Sequence, residues 1–299
     1  MKTGLVLEGG AMRGIYTAGV LDVFMEQGMH FDGVIGVSAG ALHGCSFVSG
    51  QKGRSIRYFK KYRNDKHFMS MWNLVHTGEV VGKQLCYHDI PERLDPYDYE
   101  AFLKSDTEFY ATCSNVETGK PEYIKITDML NQVDVLRASA SMPYVSKFVD
   151  YQGMKLLDGG CTDSIPVEAF RRMGFEKNVV ILTQHKGYVK KPQNAKMAEL
   201  RYHRDRYLCW RGLKMNEKLT KEEILEALKE RHNVYNQSLK EIHRLEEAGE
   251  VFVIQPSEKL EISRMETDLE VIQSVYERGM MDARVRMKAL KEWMEEAER

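Results

Sequence analysis

The sequence lacks long hydrophobic runs, an excess of charge of one sign, and paired cysteine motifs. No stretch of the 299 residues approaches the ~18 consecutive apolar residues of a membrane-spanning helix. The formal net charge of −1 gives no global field that would attract nucleic acid. The five cysteines are scattered without a CxxC pair, which is typical of reduced thiols inside cells. The N-terminal segment becomes polar too early for a signal peptide, so we expect a cytoplasmic protein.

The composition and the order of apolar runs predict an α/β protein. Hydrophobic residues make up 43% of the chain and charged residues 29%, which suits a substantial core and a polar surface. Short apolar runs alternate with helical patterns, and this alternation indicates a mainly parallel central sheet flanked by helices. Long helical patterns over about 221–248 and 268–298 then surround an apolar run at 251–254. We therefore predict a first domain over 1–188 and a mainly helical C-terminal region over 189–299 that packs on the same sheet.

A G-x-S-x-G pentapeptide at residues 36–40 is the focus of the sequence. The apolar pair Val34-Ile35 precedes it, and a helix-like run of small residues at 41–45 follows. Strand, pentapeptide and helix in this order predict a nucleophile elbow. Its turn would lift Ser38 clear of the backbone at a helix N-terminus, where the dipole favours developing negative charge. A glycine-rich turn with an N-capping serine fits the same five residues, so the decision rests on partners elsewhere in the chain.

A glycine loop at residues 9–14 lies between the first predicted strand and its helix. Its small residues Gly9, Gly10 and Ala11 would let successive backbone N–H groups point at one oxyanion. We expect Gly10 to need torsions that glycine adopts most readily. A phosphate-binding loop is the alternative, but Ala11 breaks the G-x-G-x-x-G pattern and the G-K-[ST] ending of a Walker loop is absent.

Asp158 follows the apolar run 155–157 and precedes two glycines. This position predicts the carboxyl edge of a parallel sheet, where a carboxylate beside Ser38 would act as a base. A simple Asp-Gly turn explains the same residues without chemistry. Among the later histidines only His185 follows a strand end, so it is the candidate for a Ser-His-Asp triad. The triad is disfavoured because Ser38 follows only the second predicted strand, whereas an α/β-hydrolase usually has several strands before its elbow.

Taken together, three motifs in order resemble the patatin-like phospholipase family. They are the loop at 8–14, the pentapeptide at 36–40, and Asp158-Gly159-Gly160. The stretch 138–143 also resembles the helix end that precedes the aspartate strand in that family. The resemblance covers about residues 3–185 and implies a patatin-like catalytic domain over 1–188. The region 189–299 looks like the C-terminal extension of some bacterial members.

The resemblance implies a Ser–Asp dyad that works without histidine. Ser38 would be the nucleophile and Asp158 the base. The amides of the oxyanion hole would be those of Gly9, Gly10 and Ala11. No metal and no cofactor are implied.

Two further positions in the loop carry expectations from the same resemblance. Arg13 matches the basic residue of the family's loop, with a positional or an electrostatic role. Ala11 stands where the family usually has a third glycine. If that position needs a positive φ, alanine costs on the order of 1 kcal/mol there and weakens the aim of one donor.

These observations predict a serine acyl-ester hydrolase acting on lipids, of phospholipase A or lysophospholipase type. A lipid-binding or regulatory protein that keeps the fold without catalysis is the alternative. The basic and aromatic stretches 51–75 and 186–214 would dock anionic head groups at a membrane surface, with residues 68–72 at the acyl entrance. A solvated helix face with snorkelling lysines explains the same stretches. The expected partner is a lipid or acyl ester, with no nucleic acid.

Overall fold

A mixed sheet of eight strands forms the centre of the computed structural model, which describes residues 1–192 and 222–295. The strands are β1 Lys2–Leu7, β2 Gly33–Val37, β3 Glu108–Asn115, β4 Pro121–Ile126, β5 Val149–Tyr151, β6 Met154–Asp158, β7 Phe175–Ile181 and β8 Val251–Ile254. The helices are α1 Gly14–Glu26, α2 Ala39–Val48, α3 Arg54–Tyr62, α4 Met71–Thr77, α5 Tyr99–Lys104, α6 Val133–Ser139, α7 Val167–Arg172, α8 Glu222–Glu247 and α9 Leu269–Glu295. A π-helical segment, Leu85–Leu94, and 3₁₀ turns at Ala11–Arg13 and Gly159–Cys161 complete the elements.

The strands follow the order β5-β6-β3-β2-β1-β7-β8, with β4 also paired to β3. The pairs β1–β2, β1–β7, β2–β3 and β7–β8 are parallel. The pairs β3–β4, β3–β6 and β5–β6 are antiparallel. The predicted α/β fold, with a mainly parallel central sheet flanked by helices and helices near the C-terminus, is confirmed.

Strand β6 runs in the direction opposite to the one we predicted. It is antiparallel to β3, so Asp158 does not end a parallel strand. On β3, residues 109–112 pair with both β2 and β4, and residues 113–114 pair with both β6 and β4. A strand has one neighbour on each side, so β2 and β6 share the edge of β3 opposite β4. Their C-terminal ends therefore point at each other, with Val37 opposite Thr112 and Asp158 opposite Cys113.

Side chains alternate along each strand, so apolar side chains point to both faces of the sheet. Helices cover both faces and bury these side chains. On β1, Leu5 and Leu7 pack into the larger core, with apolar residues of α1, α2, α6 and α9. Val6 points to the other face, into a second core with residues of α7 and α8. The N-terminal strand is therefore buried on both sides, as expected for the middle of a parallel sheet.

The region after residue 221 is packed against the first part of the chain. Strand β8 pairs with β7 from Asn178 to Ile181. Helix α9 crosses α1 where glycines let the backbones meet, because a Cβ on Gly279 would lie 2.1 Å from the Tyr16 carbonyl oxygen. Within residues 1–192 and 222–295, no helix is both long and apolar enough to cross a membrane.

Candidate active site

Ser38 lies in the sharp turn between β2 and α2, with φ 54° and ψ −122°. A non-glycine residue in this conformation costs on the order of 1–3 kcal/mol and persists only where its surroundings enforce it. The side chain is 7% exposed, so it faces a narrow site rather than open solvent. Strand, strained serine and helix are the geometry of a nucleophile elbow.

The two glycines of the pentapeptide provide space for the backbone rather than torsional freedom. A Cβ on Gly36 would lie 2.5 Å from the backbone nitrogen of Ala41, and one on Gly40 would lie 2.5 Å from the Leu7 carbonyl oxygen. Neither glycine has a positive φ. They let α2 approach β2 and β1 closely, and Ser38 itself carries the strain of the turn.

Ser139, at the end of α6, fixes the backbone of the turn. Its Oγ accepts a hydrogen bond from the Ser38 N–H at 2.9 Å and donates one to the Thr112 carbonyl at 2.7 Å. This buried bridge links the turn to β3 and holds the strained residue in place. The sequence showed that 138–143 resembles the family pattern, but nothing in it indicated this contact.

Asp158 is brought to Ser38 by the meeting of β6 and β2. Its N–H donates to the Ser141 carbonyl at 2.9 Å, and its Oδ1 accepts from the Gly160 N–H at 2.8 Å. The carboxyl group is buried, and burial raises its pKa above the ordinary aspartate value. Ser38 beside the carboxyl group lowers the pKa, as do the positive charge of Arg231 and the Gly160 N–H.

The glycine loop lies against Ser38, since a Cβ on Gly9 would be 3.3 Å from Ser38 Cβ. The N–H of Gly9 donates to the Ser164 carbonyl at 3.3 Å. Among the described residues, no acceptor is bonded to the N–H of Gly10 or of Ala11. Ala11 has φ 48°, in the left-handed region that favours glycine, so the alanine backbone is strained there.

Gly10 is constrained by space and not by its torsions, contrary to our expectation. Its φ is −145°, which lies outside the left-handed region. A Cβ at this position would lie 2.7 Å from Thr183 Oγ1 and 2.9 Å from Thr183 Cγ2. The loop is therefore pressed against the end of β7, and a side chain would push it away.

Glu8, at the end of β1, ties the loop to α8. Its Oε1 accepts from the Tyr235 hydroxyl at 2.7 Å, and its Oε2 accepts from the Thr183 N–H at 2.5 Å. Arg13, within the loop, has a buried Nε without a hydrogen-bond partner among the described residues. The positive charge of Arg13 acts on Tyr235 and on Lys190, so Arg13 lies on the α8 side of the site.

Among the described residues, no histidine is bonded to Ser38 or Asp158. Within the described residues, His185 Nδ1 is buried without a hydrogen-bond partner, and its ring faces Tyr188 at 6.1 Å. His43, five residues after Ser38, is bonded to Ser55 Oγ at 3.0 Å. Burial lowers the pKa of His43 to about 4, which keeps the ring neutral. His203 lies outside the described residues.

An apolar cavity of ≈ 130 Å³ lies on the α2 and α6 side of the sheet, and part of its wall comes from residues next to the Ser38 turn. Leu42, whose N–H bonds the Ser38 carbonyl, and Ala140, next to Ser139, belong to its wall. Phe68 and Met69 also line it, as the sequence suggested, whereas Met71 and Trp72 point outward. A cavity with this lining can hold an apolar chain.

The basic stretch 51–75 is only partly at the surface. Arg54 and Arg63 are buried, and Arg63 donates to the Glu266, Met69 and Met265 carbonyls. These two arginines therefore hold the fold together and are not free to bind head groups. The second stretch, 186–214, is described only to residue 192. Within the described residues, no three His, Cys, Asp or Glu side chains are grouped so as to hold a metal ion.

Comparisons with known proteins agree with the motifs. A family model described as Patatin-like phospholipase matches residues 5–171, and one described as a domain of unknown function (DUF6363) matches 221–295. The uncharacterized protein YjjU of Escherichia coli (strain K12) is 32% identical over 188 residues, which are 61% of this chain and 52% of that protein. Lysophospholipase NTE1 of Cryptococcus neoformans is 27% identical over 192 residues, which are 60% of this chain and 11% of that protein.

Among solved structures, VipD from Legionella pneumophila aligns with 96% of this chain and 67% of its own, at 13% identity and a TM-score of 0.45. The chain spans about half the length of YjjU and a smaller share of NTE1. The family model alone covers more than half of the chain. The chain therefore belongs to the patatin-like phospholipase family.

Proposed function

We propose that this protein is a serine hydrolase of lipid acyl esters, of phospholipase A or lysophospholipase type. The observation that carries the proposal is the strained Ser38 turn beside the buried Asp158, whose pKa Ser38 lowers. The family match and the relatives named lysophospholipase support the same chemistry. The apolar cavity beside Ser38 suits the acyl chain of such a substrate.

The reaction would run in two steps. Asp158 takes the proton of Ser38 as Oγ attacks the acyl carbonyl, and the alcohol or lysolipid leaves with that proton. Water then attacks the acyl-enzyme, giving its proton to Asp158, and Ser38 is regenerated with release of the fatty acid. Burial raises the pKa of Asp158, which makes it a stronger proton acceptor than an exposed aspartate once it is ionised.

The oxyanion would be held by the glycine loop. Of the three amides expected there, those of Gly10 and Ala11 have no acceptor among the described residues and are the better donors. The Gly9 N–H must first leave the Ser164 carbonyl in order to contribute. Arg13, two residues after Ala11, adds positive charge on the α8 side of the site.

A fluorophosphonate probe tests the nucleophile directly. We expect covalent labelling at Ser38, and we expect Ser38→Ala to lower ester turnover on the order of 10³-fold or more. Absence of labelling, together with binding of lipid, would favour the non-catalytic lipid-binding protein instead.

The base is tested by two variants measured side by side. Asp158→Asn should be nearly inactive because the amide does not accept the serine proton, while His185→Ala should keep near-normal turnover. A dead His185→Ala and an active Asp158→Asn would replace the dyad with a histidine-dependent mechanism. Circular dichroism confirms that both variants are folded.

Membrane contact is a separate part of the proposal. Helix α4 exposes Met71 at 62% and Val75 at 75%, and Lys66 Nζ lies 4.8 Å from the centre of the Trp72 ring. Exposed apolar residues next to a lysine suit the surface of an anionic bilayer. Sedimentation with anionic and with neutral vesicles measures this contact. If equal amounts of protein sediment with both, charge does not contribute to membrane binding.

A further inference from the structure

Two cations lie beside the Ser38–Asp158 pair on the side opposite the acyl cavity. The cavity is lined from α2 and α6, which pack on one face of the sheet, while α8 packs on the other. Arg231 belongs to α8, and Lys190 lies in the segment after β7. An ester bound at Ser38 with its acyl chain in the cavity would direct its alcohol part toward these two residues.

Arg231 occupies space that only a glycine leaves open. A Cβ on Gly160 would lie 3.0 Å from an Arg231 η-nitrogen and 3.0 Å from Asp158 Oδ1. The guanidinium therefore rests on the glycine turn next to the catalytic carboxylate of the proposed mechanism. Its Nε is buried and has no hydrogen-bond partner among the described residues.

Lys190 is clamped onto the same helix. Its backbone N–H donates to Asn236 Oδ1 at 2.8 Å, and its carbonyl accepts from Asn236 Nδ2 at 2.9 Å. Its Nζ lies 3.9 Å from the centre of the Tyr235 ring. These three contacts hold Lys190 against α8, the helix that carries Arg231.

Two buried carboxylates, Asp158 and Glu8, lie within electrostatic reach of these cations. Glu8 is engaged by Tyr235 and Thr183, and no ion pair joins Lys190 or Arg231 to a carboxylate in the part of the chain that the structure describes. Burial lowers the pKa of Lys190 to about 7, with Arg231, Arg13 and Arg264 lowering it further and Glu8 raising it. Like charges grouped in a half-buried position repel one another, and a cluster that shifts a pKa in this way is a candidate functional site.

We propose that Arg231 and Lys190 form a subsite for a phosphate group carried by the alcohol part of the substrate. The inference rests on the proposed function and deepens it, because the C-terminal region then supplies specificity to the Ser38 site. The planar guanidinium matches two phosphate oxygens, and the ammonium contributes a point charge to a third. The enzyme would accordingly prefer acyl esters of a phosphate-bearing alcohol over neutral esters.

The test compares two substrates that differ in the phosphate alone. They are 1-octanoylglycerol and its 3-phosphomethyl diester, whose single charge stays fixed near neutral pH, both kept below the concentration at which they form micelles. The quantity measured is the ratio of kcat/KM for the diester to kcat/KM for the neutral ester. A substitution at Arg231 or Lys190 can also shift the pKa of Asp158. That indirect effect changes the hydrolysis of both esters by the same factor and cancels in the ratio.

We expect Arg231→Gln and Lys190→Gln each to lower the ratio by about 10-fold or more, the effect of losing one charge-assisted hydrogen bond. Arg231→Lys should recover part of it. Arg244→Gln on the exposed side of α8 and Lys191→Gln next to Lys190 are matched controls that should leave the ratio unchanged. An unchanged ratio in folded Arg231→Gln, shown by its melting temperature, overturns the proposal.

Two further measurements test the role of Lys190 and distinguish a substrate phosphate from free phosphate. The wild-type ratio should fall as pH rises through about 7, because Lys190 loses its charge there, and should be flat in Lys190→Gln. A pH dependence that persists in Lys190→Gln contradicts the role of that residue. If inorganic phosphate binds Ser38→Ala by calorimetry but the diester is not preferred, the site takes free phosphate and the headgroup assignment is wrong. Hydrolysis that survives Ser38→Ala would instead refute the proposed function itself.

Discussion

At the scale of single residues, strain and close contact fall on different positions of the site. Ser38 and Ala11 both have positive φ without being glycine, whereas Gly10, Gly36 and Gly40 have ordinary φ values and are needed for space. The two glycines of the pentapeptide therefore mark positions where another part of the backbone approaches closely. The strained backbone of Ser38 is held by contacts such as the Ser139 hydrogen bond.

Ala11→Gly tests the strain in the loop. Glycine at an ordinary helical position lowers the free energy of unfolding by about 1 kcal/mol, but at φ 48° it relieves a left-handed penalty of similar or larger size. We therefore expect Ala11→Gly to leave stability unchanged or raise it by up to about 1 kcal/mol, with activity kept. Urea denaturation measures this, and Ala227→Gly within α8 is the control that should destabilise.

Gly10→Val tests the oxyanion loop. The new side chain would meet Thr183 and push the loop away from Ser38, and loss of one aimed donor lowers turnover about 10²- to 10³-fold. The loss should appear in kcat rather than in KM, because the oxyanion exists only after attack.

A second pair of variants identifies Thr183 as the cause. Gly10→Ala with Thr183→Ala should be more active than Gly10→Ala alone, since the atoms that a Cβ would meet most closely are removed. Steady-state kinetics on a short-chain ester compares them. A folded Gly10→Val protein with full turnover would exclude the loop from the mechanism.

At the scale of elements, apolar runs predicted most of the strands. The main error was the direction in which β6 pairs with its neighbour. The runs at 4–7, 34–35 and 251–254 correspond to β1, β2 and β8, because buried parallel strands are continuously apolar. The run at 155–157 is indeed a strand, β6. Whether it is parallel or antiparallel depends on its partner β3, which is distant in sequence. The three-residue strand β5 is too short to leave a pattern.

The same reasoning explains which site residues the sequence indicated. Ser38 and Asp158 lie in motifs whose local conformation demands particular residues, so they could be proposed in advance. Ser139, Lys190 and Arg231 act through contacts between elements, and each lies in an ordinary helical or polar stretch. No local signal distinguishes such a residue from a surface serine, lysine or arginine.

Gly279→Ala tests the crossing of α9 and α1. In an exposed helix this change stabilises by about 1 kcal/mol, but here the added Cβ would lie 2.1 Å from the Tyr16 carbonyl oxygen. We expect the helices to be forced apart, with a loss of about 1–3 kcal/mol or more. Thermal unfolding measures the loss, and Val285→Ala on the exposed side of α9 is the control. Stabilisation by Gly279→Ala would show that the crossing is looser than described.

At the scale of the whole molecule, residues 1–188 and 222–295 share one folded structure. Helix α1 is buried along eleven successive residues, Gly14 to Phe24, which requires cover on every side. Part of that cover is α9, joined to it by the Tyr276 hydroxyl on Asp22 at 2.6 Å and the Tyr16 hydroxyl on Asp282 at 3.2 Å. On the other face, Tyr235 and Leu239 of α8 complete the second core.

A chain ending at residue 188 therefore tests whether the first part folds alone. Without β8 the edge of β7 is unpaired, and without α9 the apolar side of α1 is exposed to water. We expect this fragment to lack a cooperative thermal transition, to bind the dye ANS, and to show no fluorophosphonate labelling at Ser38. Co-expression with residues 189–299 should restore both the transition and the labelling, because the missing contacts are non-covalent. A fragment that unfolds cooperatively and is labelled by itself would show that residues 1–188 form an independent catalytic domain.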